Sequence, residues 1–164
     1  MTTAIVVGNP KPSSRTLAAA HRLASALAGE PDLVVDLATV GPALLDWSSP
    51  EVTDLVKQVG AADLVIVASP TYKGAYTGLL KLFLDRFAGG TGLGGLAVPL
   101  MLGGSPAHAL APELTLRPIL TEIGATVPGR GLYVVDSAYD DPAAYADWLA
   151  ATKPLIDRYL NGRP

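Results

Sequence analysis

The chain has 164 residues, 49% of them hydrophobic and only 16% charged, with no cysteine and a formal net charge of −3. This fits one domain over residues 1–164, with a core that needs no disulfide or metal, and it excludes disorder, thiolate catalysis, zinc fingers and iron–sulfur clusters. No basic block, no leader pattern and no apolar run near the ~20 residues of a spanning helix is present, so nucleic acid and membrane partners are not expected and a cytoplasmic location is.

Five short apolar runs read as strands: AIVV (4–7), LVVDL (33–37), LVIVAS (64–69), LAVPLML (96–102) and LYVV (132–135). Their hydrophobicity is continuous rather than alternating, the pattern of parallel strands covered on both faces by helices. Between them lie helical segments. Thr16–Ala28 is rich in alanine and leucine. Pro50–Ala61 carries Val52, Leu55, Val56 and Val59 at helical spacing, with Ser49 as N-cap and Pro50 at the first position. Thr77–Phe87 places Leu79, Leu80, Phe83, Leu84 and Phe87 on one stripe. Pro112–Ile123 and Ala143–Leu160 follow, with Pro118 and Pro154 expected to kink or break them. Strand and helix thus alternate along the whole chain. The alternation predicts an α/β fold with an open, doubly wound parallel sheet. At this length the five-stranded flavodoxin-like order 2-1-3-4-5 fits better than a six-stranded one. Ligands of such a sheet bind beyond the carboxyl ends of its strands.

Three loops at those ends carry distinctive residues. After the first strand comes GNPKPSSRT, with Asn9, Lys11, Ser13, Ser14, Arg15 and Thr16 just before a helix. Free backbone N–H groups and the positive end of the helix dipole favour an anion there. A plain capped turn would account for one hydroxyl, not for three beside two cations. The spacing is not that of a nucleotide triphosphatase P-loop. After the third strand, Pro70, Thr71, Tyr72, Lys73 and Gly74 offer an aromatic and backbone amides to a planar ligand, although tyrosines covering the edge of the core are the ordinary alternative. After the fourth, Gly103, Gly104 and Ser105 allow close backbone approach, and His108 is a candidate for a chemical role, although a lone histidine is more often structural. His21 lies mid-helix and is read as a surface residue. Gly90-Thr91-Gly92-Leu93-Gly94-Gly95 matches GxGxxG by letter, but it follows a helix and precedes a strand, so it is read as a flexible loop rather than a dinucleotide site. No acid pair, metal-ligand cluster or nucleophile elbow is visible, which points to chemistry carried by a bound cofactor.

The segment SPTYKGAYTGLLKLFLDRF resembles the signature of the NAD(P)H-dependent FMN reductases. It matches the pattern P-x-Y-x-x-x-x-T-G-x-L-K-x-x-L-D at Pro70, Tyr72, Thr77, Gly78, Leu80, Lys81, Leu84 and Asp85. GGSPAHALAPELTLRPIL is similar to the segment after the fourth strand in the alkanesulfonate-type branch, including Gly103, Gly104, His108, Arg117 and Pro118. GNPKPSSRT resembles the family's phosphate loop. Asn9 and Lys11 stand where many relatives have Ser and Arg, and Leu114 where some carry an aromatic.

The resemblance implies hydride transfer from NADPH or NADH to FMN. The FMN phosphate would sit on Ser13, Ser14, Arg15 and Thr16, and the isoalloxazine against Pro70–Gly74 and the Gly103–Ser105 loop. It also implies a homodimer or homotetramer, often formed through the helix at 77–87, and a flavin-dependent monooxygenase as a partner receiving reduced flavin. The alternatives are an FMN-bound quinone or azo reductase, a flavodoxin-like electron carrier and a module that binds a sugar or nucleotide phosphate.

Overall fold

In the computed structural model, which describes residues 1–162, the apolar runs form five parallel strands. They are β1 (Thr3–Val7), β2 (Leu33–Asp36), β3 (Leu64–Pro70), β4 (Leu96–Gly103) and β5 (Leu132–Val135). Their order is β2-β1-β3-β4-β5, as the sequence predicts. Side chains alternate between the two faces of the sheet. Ile5, Val7, Ile66, Ala68, Val98 and Leu100 meet Leu23 of α1 (Arg15–Leu27) and Ile156 of α6 (Ala143–Asn161). Ala4, Val6, Val65, Val67, Ala97 and Met101 meet the opposite layer. That layer comprises α2 (Leu37–Val40), α3 (Pro50–Gly60), α4 (Gly78–Leu84) and α5 (Arg117–Glu122). Each fully buried Leu, Ile or Val contributes about 1.5–3 kcal/mol, so these two layers hold the sheet rigid beneath its loops.

Several local expectations change in three dimensions. Burial on both faces fails at β2: Val34 is 40% exposed, because α1 lies over β1, β3 and β4 and leaves this edge strand uncovered. The second run ends at Asp36, whose side chain accepts from the Ala38 N–H and starts α2. The stripe at 77–87 is helical only over Gly78–Leu84, and Phe83 and Phe87 are buried in the core, edge-to-face at 5.4 Å. Core packing therefore uses the residues that an interface through this helix would have offered. The helix expected over 112–123 does divide next to Pro118, into a π-helical turn at Pro112–Leu116 and α5, with Pro118 in the first turn of the new register where its missing N–H costs nothing. Pro154 lies inside an unbroken α6. The bond to the Ala150 carbonyl is forgone there, and burial of Tyr145, Thr152 and Ile156 on both sides of the proline keeps the helix continuous.

Pro99 in the middle of β4 shows how a proline fits a central strand. The Ala97 N–H donates to the Thr126 carbonyl at 2.9 Å, so the N–H of residue 99 would point to the same side, toward β5. Pairing with β5 begins only at Leu100, so no ladder donor is lost. In the 90–95 segment Gly92 and Gly95 are held against neighbouring backbone, while Gly90, Thr91 and Gly94 are exposed. A Cβ on Gly95 would lie 2.3 Å from the Ala62 carbonyl oxygen, and one on Gly92 would lie 2.7 Å from the Ala88 backbone. It abuts the amino-terminal starts of β3 and β4, at the far end of the sheet from the three distinctive loops.

Candidate functional site

The loop leaving β1 is drawn against the end of β3 and the start of α4 by the backbone of Gly8. Its N–H donates to the Ala68 carbonyl at 2.8 Å, and a Cβ there would stand 2.4 Å from the Cβ of Leu80. Only glycine lets the first loop lie this close to α4. The buried Thr77 fixes the contact from the other side: its hydroxyl donates to the Gly8 carbonyl, and its own N–H donates to Ser69 Oγ at 3.0 Å. The same hydroxyl accepts from the Leu80 N–H at 3.2 Å and caps α4. Thr77 thus joins β3 through its backbone N–H, and α4 and the first loop through its hydroxyl.

In the first loop, Ser14 is the N-cap of α1 and accepts from the Leu17 N–H at 3.2 Å. The N–H groups of Arg15 and Thr16 are in the first turn and have no intrahelical acceptor. Ser13 is held at φ 51°, a left-handed conformation, and its N–H points at Asp36 Oδ2, 3.2 Å away. Asn9 braces the loop: its Nδ2 donates to Thr16 Oγ1 at 2.9 Å and its Oδ1 accepts from the Lys11 N–H at 2.9 Å. Thr16 is buried, so its hydroxyl serves the loop's own architecture; Ser13, Lys11 and Arg15 are exposed. The Arg15 guanidinium bonds Asp136 Oδ2 and lies 5.7 Å from the centre of the Tyr139 ring. The hydrogen bond and charge of Asp136 raise the Arg15 pKa above its already high value, so the cation is permanent.

The second loop is a two-residue hairpin turn. Tyr72 and Ala75 exchange backbone bonds at 2.9 and 3.2 Å, with Lys73 at φ 55° and Gly74 at φ 79°. Positive φ at both central residues makes this a type I′ turn, and it lifts the Tyr72 ring to 54% exposure. Pro70 is the buried end of β3. Thr71 donates its N–H to the Leu102 carbonyl at 2.6 Å, while its Oγ1 is buried without a partner in the chain. Its oxygen is out of solvent contact, so a ligand would reach it only after the loop shifts to uncover it.

In the third loop, Gly103 admits Tyr133, whose hydroxyl would be 2.1 Å from a Cβ at that position. The Tyr133 hydroxyl donates to the Ser105 carbonyl at 2.6 Å, and burial pushes its pKa up. Gly104 faces open space. Ser105 Oγ accepts from the Ala107 N–H at 3.2 Å and starts a short helical turn over Pro106–His108. A Cβ on Gly74 would be 3.9 Å from His108 Cδ2, so the exposed His108 lies beside the tip of the second loop.

Asn9, Lys11, Ser14, Arg15, Tyr72 and Asp136 line one open cleft of about 340 Å³. The first and second loops therefore share a cavity, and the third adjoins it through Gly74 and His108. His21 lies on α1 beside Arg22, Glu30, Tyr139 and Asp140 in a separate surface groove, as expected of a residue outside the cluster. Among the described residues no group of acidic, histidine or cysteine side chains could hold a metal. The expectation missed Thr77, Gly8, Asp36 and Asp136 as site-forming residues. The two aspartates had a visible signal: each directly ends a strand, in LVVD and in YVVD.

A family model described as NADPH-dependent FMN reductase matches residues 1–140. The FMN reductase (NADPH) of Escherichia coli strain K12 is 37% identical over 95 residues, covering 58% of this chain and 50% of that protein. The enzyme of the same description from Pseudomonas putida is 34% identical over 108 residues, covering 66% and 51%. The chain thus spans about half the length of these two relatives. The NADH-dependent FMN reductase SfnF of Pseudomonas fluorescens is 32% identical over 157 residues, covering 88% of this chain and 79% of that protein. The crystal structure of the apo form of an NADH:FMN oxidoreductase superposes with a TM-score of 0.86 at 30% identity, covering 99% of this chain and 91% of that one.

Proposed function

This chain belongs to the NADPH-dependent FMN reductase family, and from that premise we propose that it catalyses reduction of FMN by NADPH or NADH. The carrying observation is the convergence, at the carboxyl ends of β1, β3 and β4, of a donor-rich helix N-terminus with a lifted tyrosine turn and a diglycine loop. FMN accepts a hydride from the nicotinamide when both are bound. The remaining functions fall to the chain.

In this reading the free N–H groups of Arg15 and Thr16, the hydroxyls of Ser13 and Ser14 and the charge of Arg15 bind the phosphate, with Lys11 as a second point charge. Asn9 keeps Thr16 and the loop in place. Pro70, Thr71, Tyr72, Lys73 and Gly74 form one wall for the isoalloxazine, and Gly103, Gly104 and Ser105 form the other. The unpartnered Thr71 hydroxyl, uncovered by a shift of the loop, supplies a bond to the polar edge of the ring system, and His108 borders the entrance. Backbone N–H groups stabilise charge developing there without proton transfer by a side chain.

The whole chain, residues 1–164, acts in this reading as a single domain and as a homodimer or homotetramer in the cytoplasm, supplying reduced flavin to a flavin-dependent monooxygenase. No helix of the described residues is long and apolar enough to cross a membrane. The exposed Leu110 and Leu114 beside the site give an oligomer an apolar surface to cover.

The test is to mix purified protein with free FMN and either nicotinamide and to follow nicotinamide oxidation. Turnover dependent on added FMN, with at least one of the two, is expected. Absence of turnover with both would refute the assignment. Parallel runs with FAD, riboflavin and quinones define the acceptor.

A further inference from the structure

Two donors of the anion loop are already engaged by carboxylates. The Ser13 N–H points at Asp36 from the end of β2, and the Arg15 guanidinium is bound by Asp136 from the end of β5. Asp36 is held in position, since its second oxygen accepts from the Ala38 N–H at 3.3 Å. Asp136 is 39% exposed and opens a short helical turn, so it is free to be displaced. Arg15 is ion-paired with Asp136, and Asp36 sits at the Ser13 N–H, so two carboxylates stand at a loop that carries two cations, Lys11 and Arg15. A phosphate group arriving at the loop thus meets a local charge near zero rather than a net positive site.

We propose that Asp36 and Asp136 act as internal anions that compete with the phosphate of FMN for the loop's donors, and that this competition makes FMN an exchanging ligand rather than a resident one. The inference rests on the functional reading above. Both aspartates are specificity-determining residues for residence time, and neither takes part in hydride transfer. The carboxylates also serve the empty loop. They hold Ser13 in its left-handed conformation and Arg15 over Tyr139, so the site is ordered before flavin enters. Affinity for phosphate then comes mainly from neutral donors, namely the Arg15 and Thr16 N–H groups and the serine hydroxyls. Neutral donors discriminate geometry without making release slow.

The experiment compares the full chain with the variants Asp136→Asn, Asp36→Asn and the double variant. Asparagine keeps the shape and, at position 36, the capping ability, and changes only the charge. Binding of oxidised FMN and of riboflavin is titrated by flavin fluorescence at low and high salt, and FMN release is followed by stopped flow. Each single variant is expected to bind FMN at least about threefold tighter, and the double variant about tenfold, by removal of like charge within one Debye length of the phosphate. FMN release slows in step, riboflavin binding is unchanged, and the gain shrinks at high salt. Unchanged or weaker FMN binding in both single variants would overturn the proposal, showing that the carboxylates are passive or serve only to aim the donors. Equal gains for riboflavin would also overturn it, since riboflavin has no phosphate. Failure of the parent chain to bind either flavin would instead remove the functional reading itself, so the two failures are separable.

Discussion

Replacing Thr77 by valine keeps the branched shape and the backbone bond to Ser69 and removes the hydroxyl that links the first loop to α4. That oxygen donates to the Gly8 carbonyl and accepts from the Leu80 N–H, in a residue only 4% exposed. Loss of an N-cap costs about 1 kcal/mol. A buried carbonyl left without its donor costs about 1–3 kcal/mol. Because both losses belong to one hydroxyl we expect about 2–3 kcal/mol in all, a fall in Tm of about 5–10 °C for a domain of this size. Denaturant titration should show the midpoint moving with an unchanged slope. Thr77→Ser, which restores the hydroxyl, should recover most of the loss. Flavin titration adds a second readout: with the Gly8 carbonyl no longer held and only its N–H bond to Ala68 remaining, the anion loop loosens and FMN affinity falls in the valine variant but not in the serine variant. A stability loss below about 0.5 kcal/mol in Thr77→Val, or equal losses in the valine and serine variants, would refute the view that this hydroxyl organises the site.

Two further outcomes follow from the local geometry. Lys73 occupies the left-handed region at φ 55° in the type I′ turn, where asparagine before glycine is favoured. Lys73→Asn is therefore expected to raise stability by about 0.5–1 kcal/mol in denaturant titration, and a lower midpoint would contradict the turn assignment. Tyr145 is buried, its hydroxyl donates to the Tyr139 carbonyl at 2.6 Å, and burial pushes its pKa up to about 12. A tyrosine in the unfolded chain titrates near 10. Its contribution is thus complete below about pH 10 and is lost as pH rises through about 12. The stability difference between the parent chain and Tyr145→Phe should shrink across that window by about 2 kcal/mol, and a constant difference would show that the hydroxyl does not titrate with unfolding.

What could be read from the sequence and what could not divides along the range of the interactions. Continuous apolar runs identify strands because burial on both faces leaves no polar position to disguise them, and Ser49 marks a helix start because capping is local. The prolines show where such a local rule stops. The helix over 112–123 divides next to Pro118, as the rule says, whereas the surrounding buried side chains carry α6 past Pro154 without a break. The site shows the division most clearly. Its cations and hydroxyls lie within one nine-residue stretch and are visible together, whereas Asp36 and Asp136 are separated from it by 23 and 121 positions and reach it only through the parallel order of the sheet. A loop read in isolation looks like a strongly positive anion trap. Folding brings an aspartate to it from the end of each edge strand, and the trap becomes nearly neutral. Charge at such a site is a property of the topology: the carboxylates that offset the loop's cations lie at the ends of strands, and no reading of the loop alone could have counted them.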